Sequence, residues 1–467
     1  MKIFTSLCVS FLSSNRTKLD MSLTAHQEEK LEELLNILET SDRAVLKGSA
    51  GVGKTWLLDE LLRKLLNKGM GNKKFYISAP TNKAVGVLAG KIHTKASNID
   101  LITIHKGLKY SKRIDKKTGV ETFEPTFNER NPPLQGVKYL VIDECSMIGV
   151  VMLGEIEKYA TRFRVKVIFV GDDKQALPVN ESVRSVFRGV PVAWNDNEEA
   201  IEWEEYPTVE LTEIIRQGAG NPIITLSRNL SAIWEYQSRM IEGKGFVYTM
   251  DESRIVRELA AINGSDELKY LAWTNADVND INSQVRNLIY GQPAKVELGE
   301  SLIFDAHYGE YYTSEEIKVD TLNIEQVPFH VVLEDIGGAY NVQKTSIKCY
   351  VINGEQVDEW GDGNLTWKGV FVIHEDSEKQ LTALSRIMAG NCSKGKLKWD
   401  TKSKFLSKFA KIKYNHALTV HKAQGSTYRQ TILNVGNLNL NPDMEDKMSL
   451  IYTGVTRSED LLILYNV

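Results

Sequence analysis

The sequence lacks the features that define several classes of protein. Its 467 residues include only four cysteines (Cys8, Cys145, Cys349 and Cys392) and no C-x-x-C pair, which excludes a disulfide scaffold, gives no sign of structural zinc and fits a reducing cytoplasm. No uninterrupted apolar run reaches the roughly 18 residues that a membrane span needs, so we expect no membrane partner. With 42% hydrophobic and 25% charged residues, the composition also differs from that of a disordered chain or a collagenous repeat.

The chain has no excess of basic charge either. Its 61 Asp and Glu residues outnumber its 57 Lys and Arg residues, and the formal net charge of −4 excludes a generally basic surface. Any binding of nucleic acid must therefore depend on local stripes. One basic stripe lies at residues 106–117, where Asp115 is the only acid, and a second lies at residues 394–413, where eight lysines accompany only Asp400.

The second stripe contains three aromatic residues, Trp399, Phe405 and Phe409. Stacking of a base on an exposed aromatic ring is worth about 1–3 kcal/mol, so this segment could hold a strand without reading its sequence. The alternative is a solvated helical face whose aromatic residues lie in a core. The sequence leaves both interpretations open.

The first twenty residues do not fit the pattern of the rest. Lys2 precedes the apolar residues 3–12, as in a short signal peptide, but no clean A-x-A cleavage site follows. Thr24 and Gln27 then form a capping box ahead of leucines at helical spacing, which predicts the start of a first helix. We interpret residues 1–22 as an N-terminal extension.

Short β-rich runs alternate with longer amphipathic runs along the chain. Buried-strand patterns occur at residues 44–47, 75–79, 137–142 and 165–170, and a leucine stripe at residues 57–66 is typical of a helix. This alternation predicts an α/β fold in which helices cover both faces of a parallel sheet.

A second α/β pattern begins at residues 270–273 and resumes at residues 430–435 and 461–465. The interruption, residues 291–413, begins with short strands and ends in a polar helical stretch, which we interpret as a small barrel with an appended arm. Residues 106–134 are a smaller β insertion, with a hairpin turn at Lys116, Lys117, Thr118 and Gly119.

One segment matches the phosphate-binding pattern G-x-x-x-x-G-K-[ST], directly after a predicted strand and before a predicted helix. It reads Gly48-Ser49-Ala50-Gly51-Val52-Gly53-Lys54-Thr55. In such a loop, backbone N–H groups turn inward around phosphate oxygens, the lysine reaches the β- and γ-phosphates, and the hydroxyl ligates Mg²⁺. The pattern predicts that Lys54 and Thr55 have these roles and that ATP and Mg²⁺ are cofactors.

Polar side chains follow the next strands of the predicted sheet. Asp143 and Glu144 end an apolar strand, where the first can hold the Mg²⁺ shell and the second can orient or deprotonate the attacking water. This pair favours hydrolysis over kinase-type transfer. Gln175 ends the following strand at the same edge of the sheet, where it either senses the γ-phosphate or is a solvated turn residue.

Six segments resemble, in order, the motifs of superfamily 1 helicases of the Dda, RecD and Pif type. They span nearly the whole chain from Gln27 onward. The segments are Ala79-Pro80-Thr81-Asn82-Lys83-Ala84, Thr103-Ile104-His105, Asp143-Glu144-Cys145-Ser146-Met147, Gly171-Asp172-Asp173-Lys174-Gln175, Thr419-Val420-His421-Lys422-Ala423-Gln424-Gly425-Ser426 and Tyr452-Thr453-Gly454-Val455-Thr456-Arg457.

This resemblance implies two RecA-like P-loop NTPase domains with parallel sheets, each carrying a β-rich insertion. The first domain is expected at residues 23–210 with the insertion 106–134, and the second at residues 211–467 with the insertion 291–413. ATP would lie between the two domains, and single-stranded DNA would lie across both.

The resemblance also assigns roles around the nucleotide. Gln27 matches the adenine-reading glutamine of the family, although its place in the capping box is an alternative explanation. Arg216 and Arg457 match two arginines that reach the γ-phosphate from the second domain, as arginine fingers do. The nucleotide-binding residues are expected to be Gln27, Gly48, Ala50, Gly51, Val52, Gly53, Lys54, Thr55, Trp56 and Gly425.

Nine further positions match residues that line the DNA path in this family. Hydroxyls, amides and backbone N–H groups there suit phosphate contacts that carry no sequence information. These positions are Pro80, Thr81, Asn82, Thr103, His105, Asn275, Thr419, His421 and Lys422.

Several of these assignments have alternatives or limits. His421 could equally be a structural residue, and its pairing with His416 lacks the further ligands that a metal site needs. In the family, the first insertion carries a wedge that splits the duplex, and Phe123 is the candidate for its apolar tip. The chain departs from the family pattern at residues 176–178, and its second insertion matches only weakly.

The resemblance predicts an ATP-dependent DNA helicase that moves 5′ to 3′ on single-stranded DNA and acts at junctions with duplex. Such an enzyme would serve replication, repair or recombination as a monomer, in contact with single-stranded-DNA-binding or replication proteins. A cytoplasmic, nucleoid-associated location in a phage- or bacterium-like setting is expected. Two alternatives are a P-loop ATPase that remodels protein partners and a nucleic-acid-binding module with a decayed ATP site.

Overall fold

The computed structural model describes residues 23–70, 73–114, 121–176, 185–194, 200–213, 221–263, 267–309, 311, 313–336, 339–358 and 365–467. At the edges of several gaps only the backbone is described. The predicted extension, residues 1–22, lies outside the described residues.

Fourteen α-helices lie in this part of the chain, and none of them is both long and apolar enough to span a membrane. They are α1 (Ala25–Thr40), α2 (Lys54–Leu65), α3 (Asn82–Lys91), α4 (Ile104–Gly107), α5 (Val150–Phe163), α6 (Ser185–Arg188), α7 (Pro222–Arg228), α8 (Glu252–Ile262), α9 (Asn275–Tyr290), α10 (Glu375–Ser393), α11 (Trp399–Leu406), α12 (Val420–Ala423), α13 (Val435–Asn439) and α14 (Met444–Val455).

The described strands are β1 (Arg43–Gly48), β2 (Lys74–Ala79), β3 (Ile99–Thr103), β4 (Tyr110–Ile114), β5 (Glu121–Pro125), β6 (Val137–Ile142), β7 (Lys166–Gly171), β8 (Val190–Trp194), β9 (Ala200–Glu204), β10 (Thr208–Leu211), β11 (Arg239–Ile241), β12 (Lys244–Thr249), β13 (Leu268–Ala272), β14 (Ser301–Phe304), β15 (Glu316–Lys318), β16 (Leu322–Ile336), β17 (Ala339–Asp358), β18 (Leu365–Ile373), β19 (Ile412–Tyr414), β20 (Ala417–Thr419), β21 (Tyr428–Asn434) and β22 (Ser458–Tyr465).

The first large sheet has the order β10-β1-β7-β6-β2-β3, and all its neighbouring strands are parallel. Helices α1 and α2 pack their leucines on one face, against Phe75 and Ile77. Helix α5 covers the other face, against Leu140 and Phe169. The predicted parallel sheet with helices on both faces is thus confirmed. We call the part of the chain from α1 to β10 the first lobe.

The second large sheet has the order β11-β12-β22-β21-β13-β20, and only its edge pair β11–β12 is antiparallel. Helices α8 and α9 pack on one face with Ile255 and Ile281 among their buried residues. Helices α7, α13 and α14 pack on the other face with Leu226, Leu438 and Leu450. We call the part from α7 to β22 the second lobe. Its sheet is interrupted between β13 and β20 by a large insertion.

The smaller insertion contains the antiparallel pair β4–β5, in which the backbone of Lys112 lies opposite Phe123. The predicted turn at Lys116, Lys117, Thr118 and Gly119 falls outside the described residues. The side chain of Phe123 is also outside the description, so its role as a wedge stays a prediction.

The larger insertion contains two sheets and a long arm, and the small barrel expected from the sequence stays a prediction. Its described strands form two separate three-stranded antiparallel sheets, β15-β14-β19 and β16-β17-β18. Leu302 and Phe304 of the first sheet share a core with Ile352 and Val370 of the second, while strands β16 and β17 run for 15 and 20 residues. They form a long arm that α10 and α11 cover on one face.

The aromatic residues of the second basic stripe stabilise this arm. Phe405 and Phe409 are only 4% and 6% exposed and pack with Phe329 in its core. The prediction that bases stack on these two rings is therefore wrong. The alternative, in which the aromatic side chains lie in a core beneath a solvated helical face, is confirmed for both. Trp399 is partly buried, and the Lys402 ammonium lies over its ring, 5.2 Å from the centroid.

Candidate active site and nucleic-acid path

A cleft of about 590 Å³ opens between the two lobes, at the carboxyl ends of the parallel strands of the first sheet. Most of the predicted nucleotide-binding and catalytic residues line it. From the first lobe these are Gln27, Ala50, Gly51, Gly53, Lys54, Thr55, Trp56, Asp143, Glu144 and Gln175, and from the second lobe Gly425 and Arg457.

The phosphate-binding loop has the backbone that its glycines allow. Gly51 and Gly53 have φ values of 85° and 83°, a left-handed conformation that strongly favours glycine. Gly53 caps α2 without a side-chain hydrogen bond, so the N–H groups at this helix start face the cleft without a competing oxygen. Lys54 begins the helix, and its Nζ donates to the carbonyls of Gly48 at 2.6 Å and Ser49 at 3.0 Å.

Two predicted loop residues, Gly48 and Val52, lie beneath the cleft and do not line it. A Cβ atom on Gly48 would lie 2.9 Å from the Leu211 carbonyl oxygen, so close packing against β10 requires glycine there. Val52 is 1% exposed, and its carbonyl accepts a hydrogen bond from Gln27 Nε2 at 3.2 Å. Both residues therefore shape the loop from below.

Gln27 takes part in the predicted capping box and also lines the cleft. Its Oε1 accepts from the Thr24 backbone N–H at 3.2 Å, and Thr24 Oγ1 accepts from the Gln27 N–H, so the capping box is present. The same residue lines the cleft beside Trp56. Contact of Gln27 with adenine stays a prediction.

The acid pair is held at the end of β6, next to the phosphate-binding loop. The Asp143 N–H donates to the Ser78 carbonyl of β2 at 2.8 Å, which fixes where the strand ends. Glu144 follows with φ 52°, an unusual left-handed conformation for a residue other than glycine, and turns the chain sharply there. Burial and the charge of Glu144 raise the pKa of Asp143 to about 6, although the Lys54 ammonium lowers it.

Arg457 is a charged side chain of the second lobe that lines the cleft. It is 4% exposed, and burial lowers its pKa while the charge of Glu144 raises it. Its guanidinium donates to the Thr453 carbonyl at 3.0 Å, the Ser426 carbonyl at 2.9 Å and Thr456 Oγ1 at 3.1 Å. The other predicted arginine, Arg216, falls outside the described residues, so its role stays a prediction.

Direct hydrogen bonds join the lobes where β7 ends. The Tyr452 hydroxyl donates to Asp172 Oδ2 at 2.7 Å, and the Ala176 N–H donates to Thr453 Oγ1 at 2.9 Å. Gln424 Nε2 donates to Gln175 Oε1 at 3.2 Å. The sequence left two interpretations of Gln175, a contact with the γ-phosphate or a solvated turn. In the structure Gln175 is 3% exposed and contacts the second lobe.

Sequence reasoning missed these partners and part of the cleft wall. Tyr452, Thr453 and Gln424 lie inside the motif segments, but their residue types gave no reason to single them out. His93 lines the cleft 6.3 Å from the Trp56 ring, centroid to centroid, because buried Asp59 accepts from the N–H groups of His93 and Thr94. No sequence signal marks that contact.

The predicted DNA-path residues cluster at matching places in the two lobes. In the first lobe, β2 and β3 are neighbours with Ala79 paired to Thr103, and in the second lobe, β13 and β20 are neighbours with Ala272 paired to Thr419. A threonine follows or ends each strand and caps the next helix, accepting a backbone N–H at 3.1–3.4 Å. These capping threonines are Thr81, Thr103, Thr274 and Thr419.

Thr274 was not predicted, although its neighbour Asn275 was. Each lobe thus presents two adjacent helix starts, whose backbone N–H groups and positive dipole ends suit phosphate oxygens. Thr81, Asn82 and Asn275 are exposed there.

The other predicted path residues are more enclosed. Pro80, Thr103, His105, His421 and Lys422 are half-buried, and Thr419 is 7% exposed. Burial lowers the pKa of both His105 and His421, which favours the neutral form of each ring. Among the described residues no group of three or more His, Cys, Asp or Glu side chains could hold a metal ion.

Comparison with known proteins assigns these lobes to a family. The family described as "AAA domain" matches residues 22–251, and the family described as "UvrD-like helicase C-terminal domain" matches residues 414–465, together more than half of the chain. The ATP-dependent DNA helicase Dda of Enterobacteria phage T4 is 25% identical across 90% of this chain and 94% of its own length. The chain belongs to the helicase family of Dda, RecD and Pif1.

Other relatives also match more than nine tenths of this chain. The RecBCD enzyme subunit RecD of Buchnera aphidicola is 23% identical across 99% of this chain and 76% of its own length. An uncharacterised protein of Acanthamoeba polyphaga mimivirus is 24% identical across 93% of this chain and 97% of its own length. A crystal structure of Pif1 helicase from Bacteroides in complex with ADP-AlF3 and single-stranded DNA has a TM-score of 0.49 and 18% identity, covering 96% of this chain and 93% of that one.

Proposed function

We propose that this protein is an ATP-dependent DNA helicase that translocates on single-stranded DNA and separates duplexes. The cleft carries the proposal, because the phosphate-binding loop and acid pair of the first lobe share it with Arg457 of the second. A nucleotide in such a cleft contacts both lobes. The activity of Dda, named an ATP-dependent DNA helicase, supports the same assignment.

The residues around the cleft fit ATP with Mg²⁺. The Thr55 hydroxyl and the Asp143 carboxylate are the hard oxygen ligands that Mg²⁺ prefers, with phosphate oxygens and water completing its shell. When bound, the ion would neutralise charge that develops on the phosphates. Lys54 would exchange the loop carbonyls for phosphate oxygens, and Glu144 would accept a proton from the attacking water.

Coupling to movement follows from what the nucleotide contacts. With ATP bound, Lys54 and Arg457 hold one phosphate chain from opposite sides and keep the cleft closed; after hydrolysis that bridge is lost and the cleft opens. The hydrogen bonds that join Asp172 and Gln175 to the second lobe would break or re-form as the cleft opens and closes. If the helix starts of the two lobes hold the strand alternately, each cycle moves the protein along it.

A pH dependence follows from the pKa of Asp143. A carboxyl whose pKa is about 6 loses its charge as the pH falls through that value, and Mg²⁺ needs the charged form. Below pH 6, we expect the Mg²⁺ concentration for half-maximal ATP turnover to rise about tenfold for each pH unit. Turnover measured in Mg²⁺ titrations from pH 5 to 8 checks this. Because the nucleotide phosphates titrate in the same range, Asp143→Asn supplies the baseline, and an equal dependence in that variant would contradict the assignment.

The finer parts of the proposal rest on the family resemblance. They are 5′ to 3′ movement, a preference for junctions of single and double strands, Phe123 as the wedge, a monomeric state, contacts with single-stranded-DNA-binding or replication proteins, and a cytoplasmic, nucleoid-associated location.

A strand-separation assay with tailed duplexes tests activity and direction together. Duplexes with a 5′ tail should be separated in the presence of ATP and Mg²⁺, and duplexes with a 3′ tail or blunt ends should not. Lys54→Ala is the control for ATP dependence. ATP turnover that is indifferent to DNA, with no strand separation, would instead favour an ATPase that remodels protein partners.

A further inference from the structure

Two lysines converge on a single carboxylate beside the predicted DNA path. Lys422 Nζ lies 2.6 Å from Asp305 Oδ1, and Lys413 Nζ lies 3.3 Å from the same oxygen. Asp305 follows β14 of the large insertion, and Lys413 lies in the neighbouring strand β19. Lys422 lies in α12 of the second lobe. The insertion and the lobe therefore meet at this cluster.

The cluster is open to a ligand. The side chains of Asp305, Lys413 and Lys422 are 32%, 35% and 29% exposed. Lys422 follows the capping threonine Thr419, whose hydroxyl accepts the Lys422 N–H. The next turn brings Gly425 against the first lobe, where a Cβ atom on it would lie 3.8 Å from Ala84 Cβ in α3. Thr81, the capping threonine of α3, belongs to the first lobe's half of the path, so the chain that follows Lys422 meets the first lobe close to that half.

The charges of the cluster do not balance. Two ammonium groups share one carboxylate, which leaves a net charge of +1. Burial and the nearby Lys413 lower the pKa of Lys422, although Asp305 raises it, and the two lysines lower the pKa of Asp305. Two ammonium groups that point at one oxygen form the arrangement that binds a phosphate oxygen, because lysine recognises phosphate as a point charge.

We propose that Lys413 and Lys422 form a binding site for one backbone phosphate of single-stranded nucleic acid, and that Asp305 occupies this site when no strand is bound. The inference rests on the proposed function and deepens it by adding Lys413 and Asp305 to the strand contacts. An arriving phosphate displaces the carboxylate from both ammonium groups. Asp305 stays close by, and its repulsion of the phosphate weakens the grip, which eases release in each cycle.

The test is Asp305→Asn, which keeps the size of the side chain and an oxygen that accepts from lysine but removes the charge. Binding of a fluorescent oligothymidylate is measured by anisotropy over a series of salt concentrations without nucleotide. We expect the variant to bind about threefold to tenfold more tightly, the range for one partly exposed charge. Asp376→Asn is the matched control, since Asp376 pairs with Lys348 on the same insertion at 2.7 Å, and should bind like the wild type.

Lys413→Ala tests whether this lysine binds a phosphate. Loss of one phosphate contact should make the slope of log affinity against log salt shallower by about 0.7, the value for single strands. The loss of affinity should be larger in the Asp305→Asn background, where no carboxylate competes with the phosphate for Lys413. This variant also decides the matter if Asp305→Asn folds poorly, as a thermal melt would show.

Different outcomes separate this inference from the proposed function. If the wild type binds the oligonucleotide but Asp305→Asn binds equally well or less well, Asp305 only positions Lys422 and the inference is overturned. An unchanged salt slope in Lys413→Ala overturns it too. If the wild type does not bind the oligonucleotide at all, the proposed function fails with it.

Discussion

Replacing Glu144 with glutamine is expected to lower the ATP turnover number by about 10²-fold to 10⁴-fold, the range for loss of a general base. Glutamine keeps the size and hydrogen-bonding capacity of the side chain but cannot take a proton from water. Because Asp143, Lys54 and Thr55 are unchanged, nucleotide binding should persist. Turnover with saturating single-stranded DNA and affinity for a fluorescent nucleotide, measured on the same preparation, check both halves of this expectation.

Glu144→Asp is the matched control for this variant. It keeps the carboxylate but shortens its reach by one methylene, so it should retain more activity than the glutamine variant. Equal turnover in Glu144→Gln and the wild type would show that another group activates the water.

The parts of the site that the sequence predicted are those set by local structure. The phosphate-binding loop needs left-handed glycines between a strand and a helix, and such a requirement is visible in eight consecutive residues. Asp143 and Glu144 were predicted for the same reason, since a polar pair at the end of an apolar strand must lie at the sheet edge. The strands of both large sheets also have buried runs that the apolar pattern identifies directly.

The parts that it could not predict depend on contacts between distant segments. Tyr452 and Asp172 are 280 positions apart, and neither residue type indicates a partner. Asp305 and Lys422 are 117 positions apart, and a carboxylate is usually a solvated charge. Phe405 and Phe409 were candidates for base stacking because aromatic residues that alternate with lysines give the same sequence pattern whether their rings are exposed or buried. Only the packing of α11 on the long arm separates the two.

The three threonines of the predicted DNA path also have a structural role. Thr81, Thr103 and Thr419 each begin a helix as its N-cap, so the hydroxyl oxygen accepts a backbone N–H while the O–H can still donate. A strand of nucleic acid would then meet these hydroxyls and the N–H groups of the helix starts. Because such contacts do not read bases, binding should depend on salt and little on sequence.

Replacing Arg457 with alanine is expected to reduce DNA-stimulated ATP turnover by about a hundredfold or more, since loss of an arginine finger lowers turnover by about 10³ to 10⁵ in related systems. The structure raises a competing explanation. The guanidinium is buried and donates to the carbonyls of Ser426 and Thr453, so its removal leaves buried acceptors unpaired and destabilises the second lobe.

Nucleotide affinity and thermal unfolding separate the two explanations for Arg457. If the charge of Arg457 acts on the γ-phosphate, ADP affinity should stay within about threefold of the wild type while turnover falls, because ADP has no γ-phosphate for Arg457 to contact. Arg457→Lys keeps the charge but lacks the planar fork that spans several acceptors, so it should recover part of the turnover if charge dominates. A purely structural role predicts that turnover, ADP affinity and the unfolding temperature fall together in both variants. If a folded Arg457→Ala protein keeps the wild-type turnover, this arginine has no part in the mechanism. Hydrolysis in the first lobe would then have no contact through Arg457 by which to move the second lobe.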